Sequence, residues 1–162
     1  MTRTNELRTG EQAIEAPAAD AAGLVFIGEI RTPWTDRADC PRQGSWDGPL
    51  CRIELFELWR EALRGAEAYG QLEVLYWLHL SRRDLVLQSP RNDGAVKGTF
   101  ALRSPARPNP IGGAIVKVES IEGGVLLVRG LDCLDHTPLL DLKPDRAIFT
   151  PSAHGAGDST AL

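Results

Sequence analysis

The sequence predicts a small, mainly antiparallel β-barrel with one short amphipathic helix and long loops. Three observations carry that reading. Short stretches of strand-type apolar alternation recur between residues 24 and 131. A single segment has helical spacing. No strand is followed by a GxGxxG turn and a helix, the signature of the doubly wound nucleotide-binding sheet.

The elements follow in chain order. "LVFIGEI" (24–30) and "PLCRIELF" (49–56) read as strands. In "LFELWREALRGAEAY", Leu55, Leu58, Trp59, Ala62, Leu63 and Ala66 recur at helical spacing, which puts Trp59 in the core, and Gly65 is a natural stop. "LEVLYWLHL" (72–80) has Leu72, Val74, Tyr76, Leu78 and Leu80 on one face and Leu75, Trp77 and His79 on the other. Both faces are mostly apolar, which suits a central strand. "VKGTFALRS" (96–104) is a further strand candidate. "GAIVKVES" (113–120) alternates Ala114, Val116 and Val118 with Lys117 and Glu119, and "EGG" (122–124) turns it into "VLLVRGL" (125–131) as a hairpin.

The flanks lack this patterning. Residues 1–22 are polar and rich in Ala and Glu, and read as a mobile tail. Residues 150–162 are mostly small and read as a second one. Residues 23–149 remain as one domain. A formal net charge of −4 does not advertise a nucleic-acid binder, so any RNA contact has to come from a local basic patch. Arg31, Arg37, Arg42, Arg52, Arg103 and Arg107 would form one if their loops converged. Cys40, Cys51 and Cys133 have neither disulfide-framework nor zinc-site spacing, and a reducing cytoplasm suits them. No apolar run is long enough to span a bilayer, and no leader-type run opens the chain.

The loop "RSPARPNPIG" (103–112) is the most unusual stretch. Each proline fixes φ and removes a backbone donor, and each residue before a proline is driven toward extended geometry. Ser104, Arg107 and Asn109 all precede prolines. Such a loop has little entropy to lose on binding and offers carbonyl acceptors more than N–H donors. That suits a cation or an exocyclic amine, and a sulfonium beside an adenine ring offers both. Arg103 and Arg107 would face an anionic group, and Asn109 can hydrogen-bond in both directions.

These residues carry a family likeness. The pieces "FIGEIRTPW" (26–34), "CPRQG" (40–44), "IELF" (53–56), "LYWLH" (75–79), "GTFALRSPARPNPIG" (98–112) and "GLDCLDHTPLLDLKP" (130–144) stand in one order across residues 24–145. In them the chain resembles the TsaA-like (YaeB-like, TrmO-like) family of S-adenosylmethionine-dependent tRNA methyltransferases. The resemblance implies a small β-barrel, a homodimer with S-adenosyl-L-methionine held near the subunit interface, and methylation of N6 of threonylcarbamoyl-adenosine beside the tRNA anticodon.

By the same resemblance, Arg103, Pro105, Arg107, Pro108, Asn109, Pro110, Ile111 and Gly112 match the donor-site loop, with Arg42 and Gln43 from "PRQG" beside it. Asp132, Asp141 and Lys143 match the later acidic motif and would shape the pocket, and His79 matches a histidine after the central strand; by this match Asp141, Lys143 and His79 are the expected catalytic residues. From its own position, His79 reads either as a satisfied core residue or as the acceptor of the target nitrogen's proton. Asp132, Asp135, His136 and Asp141 do not have metal-ligand spacing; Asp132 or Asp141 is better suited to orienting Lys143 or an arginine. Trp34, Trp46 and Trp59 are the candidates for stacking on a base, with the two in loops ahead of Trp59. Two departures stand out. Family members continue "KPY" where this chain has Lys143, Pro144 and Asp145, leaving Phe149 or a tryptophan to supply an aromatic platform. The additional C-terminal domain of some relatives has no counterpart here.

Overall fold

The structure is a computed structural model, described here for residues 6–15 and 22–148. The segment 150–162 lies outside the described residues. A closed barrel holds β2 (Gly28–Arg31), β3 (Cys51–Leu55), β8 (Val125–Arg129), β7 (Ile111–Glu122), β4 (Gln71–Trp77) and β9 (Thr137–Pro144), in that order around the wall. Every pairing in it is antiparallel. The mainly β, small-barrel expectation holds.

Period-two patterning builds the wall. Cys51, Ile53 and Leu55 of β3 point inward while Arg52 and Glu54 point out. On β4 the inward row is Leu72, Val74 and Tyr76. Ile30, Ile53, Val74, Val116, Leu126, Val128 and Leu139 are all fully buried and meet along the barrel axis. Each such side chain contributes about 1.5–3 kcal/mol by leaving water. The hairpin of β7 and β8 turns at Gly123 and Gly124, as read from "EGG".

Four readings change. The helical segment is a 3-10 helix over Glu57–Leu63, followed by a second short turn, Ala66–Ala68, after the left-handed Gly65. Trp59 and Leu63 share a face at α-helical spacing but diverge by about 120° at three residues per turn. Leu63 is buried, Leu58 is 82% exposed, and Trp59 is exposed instead of lying in the core. The 96–104 stretch yields only a two-residue strand, β6 (Lys97–Gly98), and a 3-10 turn over Thr99–Ala101. The strand after Trp77 stops short, so Leu78–Leu80 are not on it. β9, the sixth wall strand, lies in a stretch read only as a motif.

The N-terminal stretch also differs from a mobile tail where it is described. β1 (Gln12–Ala13) pairs with β5 (Leu85–Gln88), which pairs with β6, forming a small sheet beside the barrel. Arg8 Nη1 donates to Ser89 O at 3.1 Å, and Glu11 accepts from the Ser89 amide.

Strict antiparallel alternation has a consequence for the site. The β2–β3, β4–β5 and β8–β9 connections and the loop entering β7 must all emerge at one end of the barrel. Those are residues 32–50, 78–84, 130–136 and 102–110.

Candidate functional site

Asp132 is the hub of that end. It lies just beyond β8, partly buried, and its Oδ1 accepts the Tyr76 hydroxyl at 2.5 Å. Burial pushes its carboxyl above the usual range, against the Tyr76 hydrogen bond, the Gly44 amide and the charge of Arg103. Burial and the Asp132 charge drive the Tyr76 hydroxyl far upward, so it stays a proton donor. Three segments far apart in the chain therefore meet at one carboxylate: "PRQG" through Gly44, the proline loop through Arg103, and "GLDCLD" through Asp132 itself.

Two glycines permit the approach. A Cβ on Gly44 would sit 1.8 Å from Gly130 O, a backbone atom with no room to yield. A Cβ on Gly112 would sit 2.1 Å from the Tyr76 ring. β8 pairs with β7 only as far as Lys117, so β7 from Ile111 to Val116 has β4 on one side and no β8 on the other. Side chains meet that opening: Arg103 Nη2 donates to Gly113 O at 3.3 Å and Trp46 Nε1 to Ile115 O at 3.0 Å.

The proline loop is held more tightly than its composition implies. The Leu102 and Ser104 carbonyls accept from Arg107 Nη1, Ala106 O from Gln88, Pro108 O from Arg83, Asn109 O from the Ile111 amide and Pro110 O from the Leu78 amide. Its acceptors largely serve the protein, which corrects the picture of an open carbonyl surface. Arg107 folds back onto its own loop, while Arg103 donates to Gly113 O and its charge acts on Asp132. Pro105, Pro108, Asn109 and Ile111 are exposed, and Ala106 and Pro110 are buried. Arg42 and Gln43 are exposed on the 32–50 connection, close in sequence to Gly44.

The remaining candidates stand apart. Asp141 and Lys143 lie on the outer wall, paired in register with Leu75 and Glu73 of β4, and form their own ion pair at 3.3 Å. An open groove of about 520 Å³ runs there, lined by Glu73, Leu75, Lys143, Pro144 and Arg146. Asp145, in place of the family's tyrosine, is buried and accepts from the Ala147 amide. Phe149 lies outside the described residues. His79 is exposed in the turn after β4, not on the Trp77 face. Trp34 packs against the core, Trp46 bonds the open edge of β7, and Trp59 lies at the far end of the barrel. Asp135 is occupied by Arg31 and the Thr32 amide, whose hydrogen bonds outweigh burial and hold its carboxyl low. Of the arginines, Arg31 and Arg52 are paired with acidic neighbours. The sequence reading missed Tyr76 as a site residue because its inward position looks purely apolar. It also missed Arg83 and Gln88.

The model for the N-terminal domain of tRNA-methyltransferase O matches residues 29–148. The chain belongs to that family. A probable S-adenosyl-L-methionine-binding protein, VirR, from Rhizobium radiobacter is 58% identical over 94% of this chain and 87% of its own length. The human tRNA (adenine(37)-N6)-methyltransferase is 34% identical over 79% of this chain, which spans only 31% of that protein. The crystal structure of TrmO from Pseudomonas aeruginosa superposes with a TM-score of 0.63 at 31% identity, covering 86% of this chain and 61% of that one.

Proposed function

We propose that this chain is an S-adenosyl-L-methionine-dependent methyltransferase acting on N6 of adenine 37 in tRNA, with threonylcarbamoyl-adenosine as the acceptor, working as a cytoplasmic homodimer. The convergence of three motif segments on Asp132 carries the reading. Membership of the family and the names of its mouse, rat and human relatives support it.

The residues suit the methyl donor chemically. Asp132 offers a partly desolvated carboxylate for a cationic or hydroxyl-bearing ligand, and Arg103 beside it suits the ligand's own carboxylate. The stiff loop and the close-packed Gly44 and Gly112 hold these groups before the ligand arrives. In the transfer, N6 gives its electron pair to the methyl carbon, the carbon–sulfur bond breaks, and sulfur leaves as a neutral thioether. N6 then sheds its proton. We assign that proton to solvent at the rim, and the barrier reduction to alignment and electrostatics. We assign Arg42 and Gln43 to the rim of the donor site, and Lys143, oriented by its ion pair with Asp141, to contacting RNA phosphate on the outer wall.

Incubation with methyl-labelled donor and bulk tRNA, followed by nucleoside mass spectrometry, tests this. Label in N6-methylated threonylcarbamoyl-adenosine is the expected result, and donor binding with no label in tRNA overturns the tRNA reading. One observation favours a second reading, a donor-binding protein without turnover. The 58% identical relative of matching length is named for binding alone, whereas this chain spans about a third of the named mammalian methyltransferases.

A further inference from the structure

Arg83 belongs to none of the motifs. It is exposed in the connection after β4, with its guanidinium carbon 5.5 Å from the centre of the Trp77 ring. From that stacked position its Nε donates to Pro108 O at 2.6 Å and its Nη2 to Asn109 Oδ1 at 3.4 Å. A second grip comes from the buried side. Gln88 of β5, 1% exposed, donates from Nε2 to Ala106 O at 2.6 Å and to Thr99 Oγ1 at 2.9 Å, and Thr99 in turn donates to Leu85 O. The loop is thus fixed at Ala106 from within and at Pro108–Asn109 from the surface.

The surface grip also sets a polarity. A guanidinium has donors only, so the Asn109 amide must turn its oxygen to Arg83. That leaves the two Nδ2 hydrogens as the group it presents elsewhere. An asparagine able to bond in either direction becomes a one-way donor.

We propose that Arg83 is a positioning residue: it clamps Pro108 and orients Asn109 so that Nδ2 donates to a hydrogen-bond acceptor of the bound methyl donor. The stacking on Trp77 holds the guanidinium in its fork geometry, which a lysine cannot reproduce. The inference rests on the reading above, in which this loop holds S-adenosyl-L-methionine.

The test compares wild type, Arg83→Ala, Arg83→Lys and Asn109→Asp by calorimetric titration with S-adenosyl-L-methionine, thermal unfolding, and hydrogen exchange of the peptide spanning 102–111. Arg83→Ala is expected to shift Tm by no more than about 2 °C, since the residue is exposed. It speeds exchange in the loop and weakens donor binding about tenfold, the scale of one charge-assisted contact. Arg83→Lys restores part of the affinity. Asn109→Asp keeps the loop slow to exchange, because a carboxylate still pairs with Arg83, yet loses about tenfold in affinity because Nδ2 is gone. Unchanged affinity in Asn109→Asp overturns the orientation, and wild-type exchange in Arg83→Ala overturns the clamp. If wild type itself does not bind the donor, the proposed function falls and the ligand half of this inference falls with it, while exchange in Arg83→Ala still decides the clamp.

Discussion

The Tyr76 hydroxyl donates to Asp132 Oδ1 across 2.5 Å, tying an inward position of β4 to the connection that closes the barrel rim. The ring is 3% exposed, so the hydroxyl has no bulk water to fall back on. Tyr76→Phe leaves a partly buried carboxylate short of a donor. The expected cost is about 1–3 kcal/mol in denaturant unfolding, with weaker binding of the methyl donor. Unfolding curves that coincide with wild type would disprove the link.

Asp132 sets a pH dependence. Burial raises its carboxyl pKa in the folded chain, so the folded state holds its proton more firmly than the unfolded state does. The associated stability is complete below the ordinary carboxylate pKa and is lost as pH rises through the raised one. Asp132→Asn keeps an oxygen for Tyr76 and removes the buried charge. The Tm of this variant should gain on wild type as pH rises through that window, while donor affinity falls about 10–100-fold at neutral pH. A Tm difference that is flat from pH 4 to 7 contradicts the assignment.

Gly44→Ala and Gly112→Ala separate two kinds of crowding. At Gly44 the new methyl meets the Gly130 carbonyl, and at Gly112 it meets the Tyr76 ring. A ring can shift and a packed backbone cannot. Both variants lose about 1–3 kcal/mol or more by overpacking, with Gly44→Ala the worse. Reversal of that order in urea unfolding counts against this geometry.

Lys143 and His79 are remote from Asp132 in hydrogen bonding. Lys143→Ala is expected to leave calorimetric donor affinity within about twofold and to weaken tRNA binding, by an amount that shrinks as salt is raised. His79→Ala should lower turnover less than about tenfold, below the 10²–10⁴ of a general base. A larger loss at unchanged donor affinity would restore the histidine as the base.

The 3-10 segment offers a contrast between two leucines. Leu58→Ala should change stability by less than about 0.5 kcal/mol, because the side chain is 82% exposed. Leu63→Ala should cost about 2–4 kcal/mol, because that side chain joins the core. Equal costs would restore the α-helical stripe.

Local chemistry alone was enough for several elements. Alternation along Leu72–Tyr76 and Ala114–Val118 specified strands, because side-chain direction in an extended chain depends only on parity. The prolines of 103–112 specified a stiff loop, because φ is set by each ring. Resemblance in the same letters pointed to the family. The helical stripe at 55–66 misled because spacing is ambiguous between 3.6 and 3.0 residues per turn until packing chooses, and within Glu57–Leu63 the core took Leu63 alone. β9 hid in the motif around Pro138 and Asp141, because Leu140 is an extra residue in the pairing with β4 and breaks the alternation after Leu139.

What only the tertiary structure decided is company. Nothing near Tyr76 in sequence marks it as Asp132's partner 56 residues away. Nothing near Arg83 marks it as the holder of Asn109, and nothing in the motif that Asp141 shares with Asp132 marks its place on the outer wall beside Lys143. The physical reason is that hydrogen bonds and desolvation act over a few ångströms in space. Alternating strand direction, set by the whole barrel, decides which loops share an end.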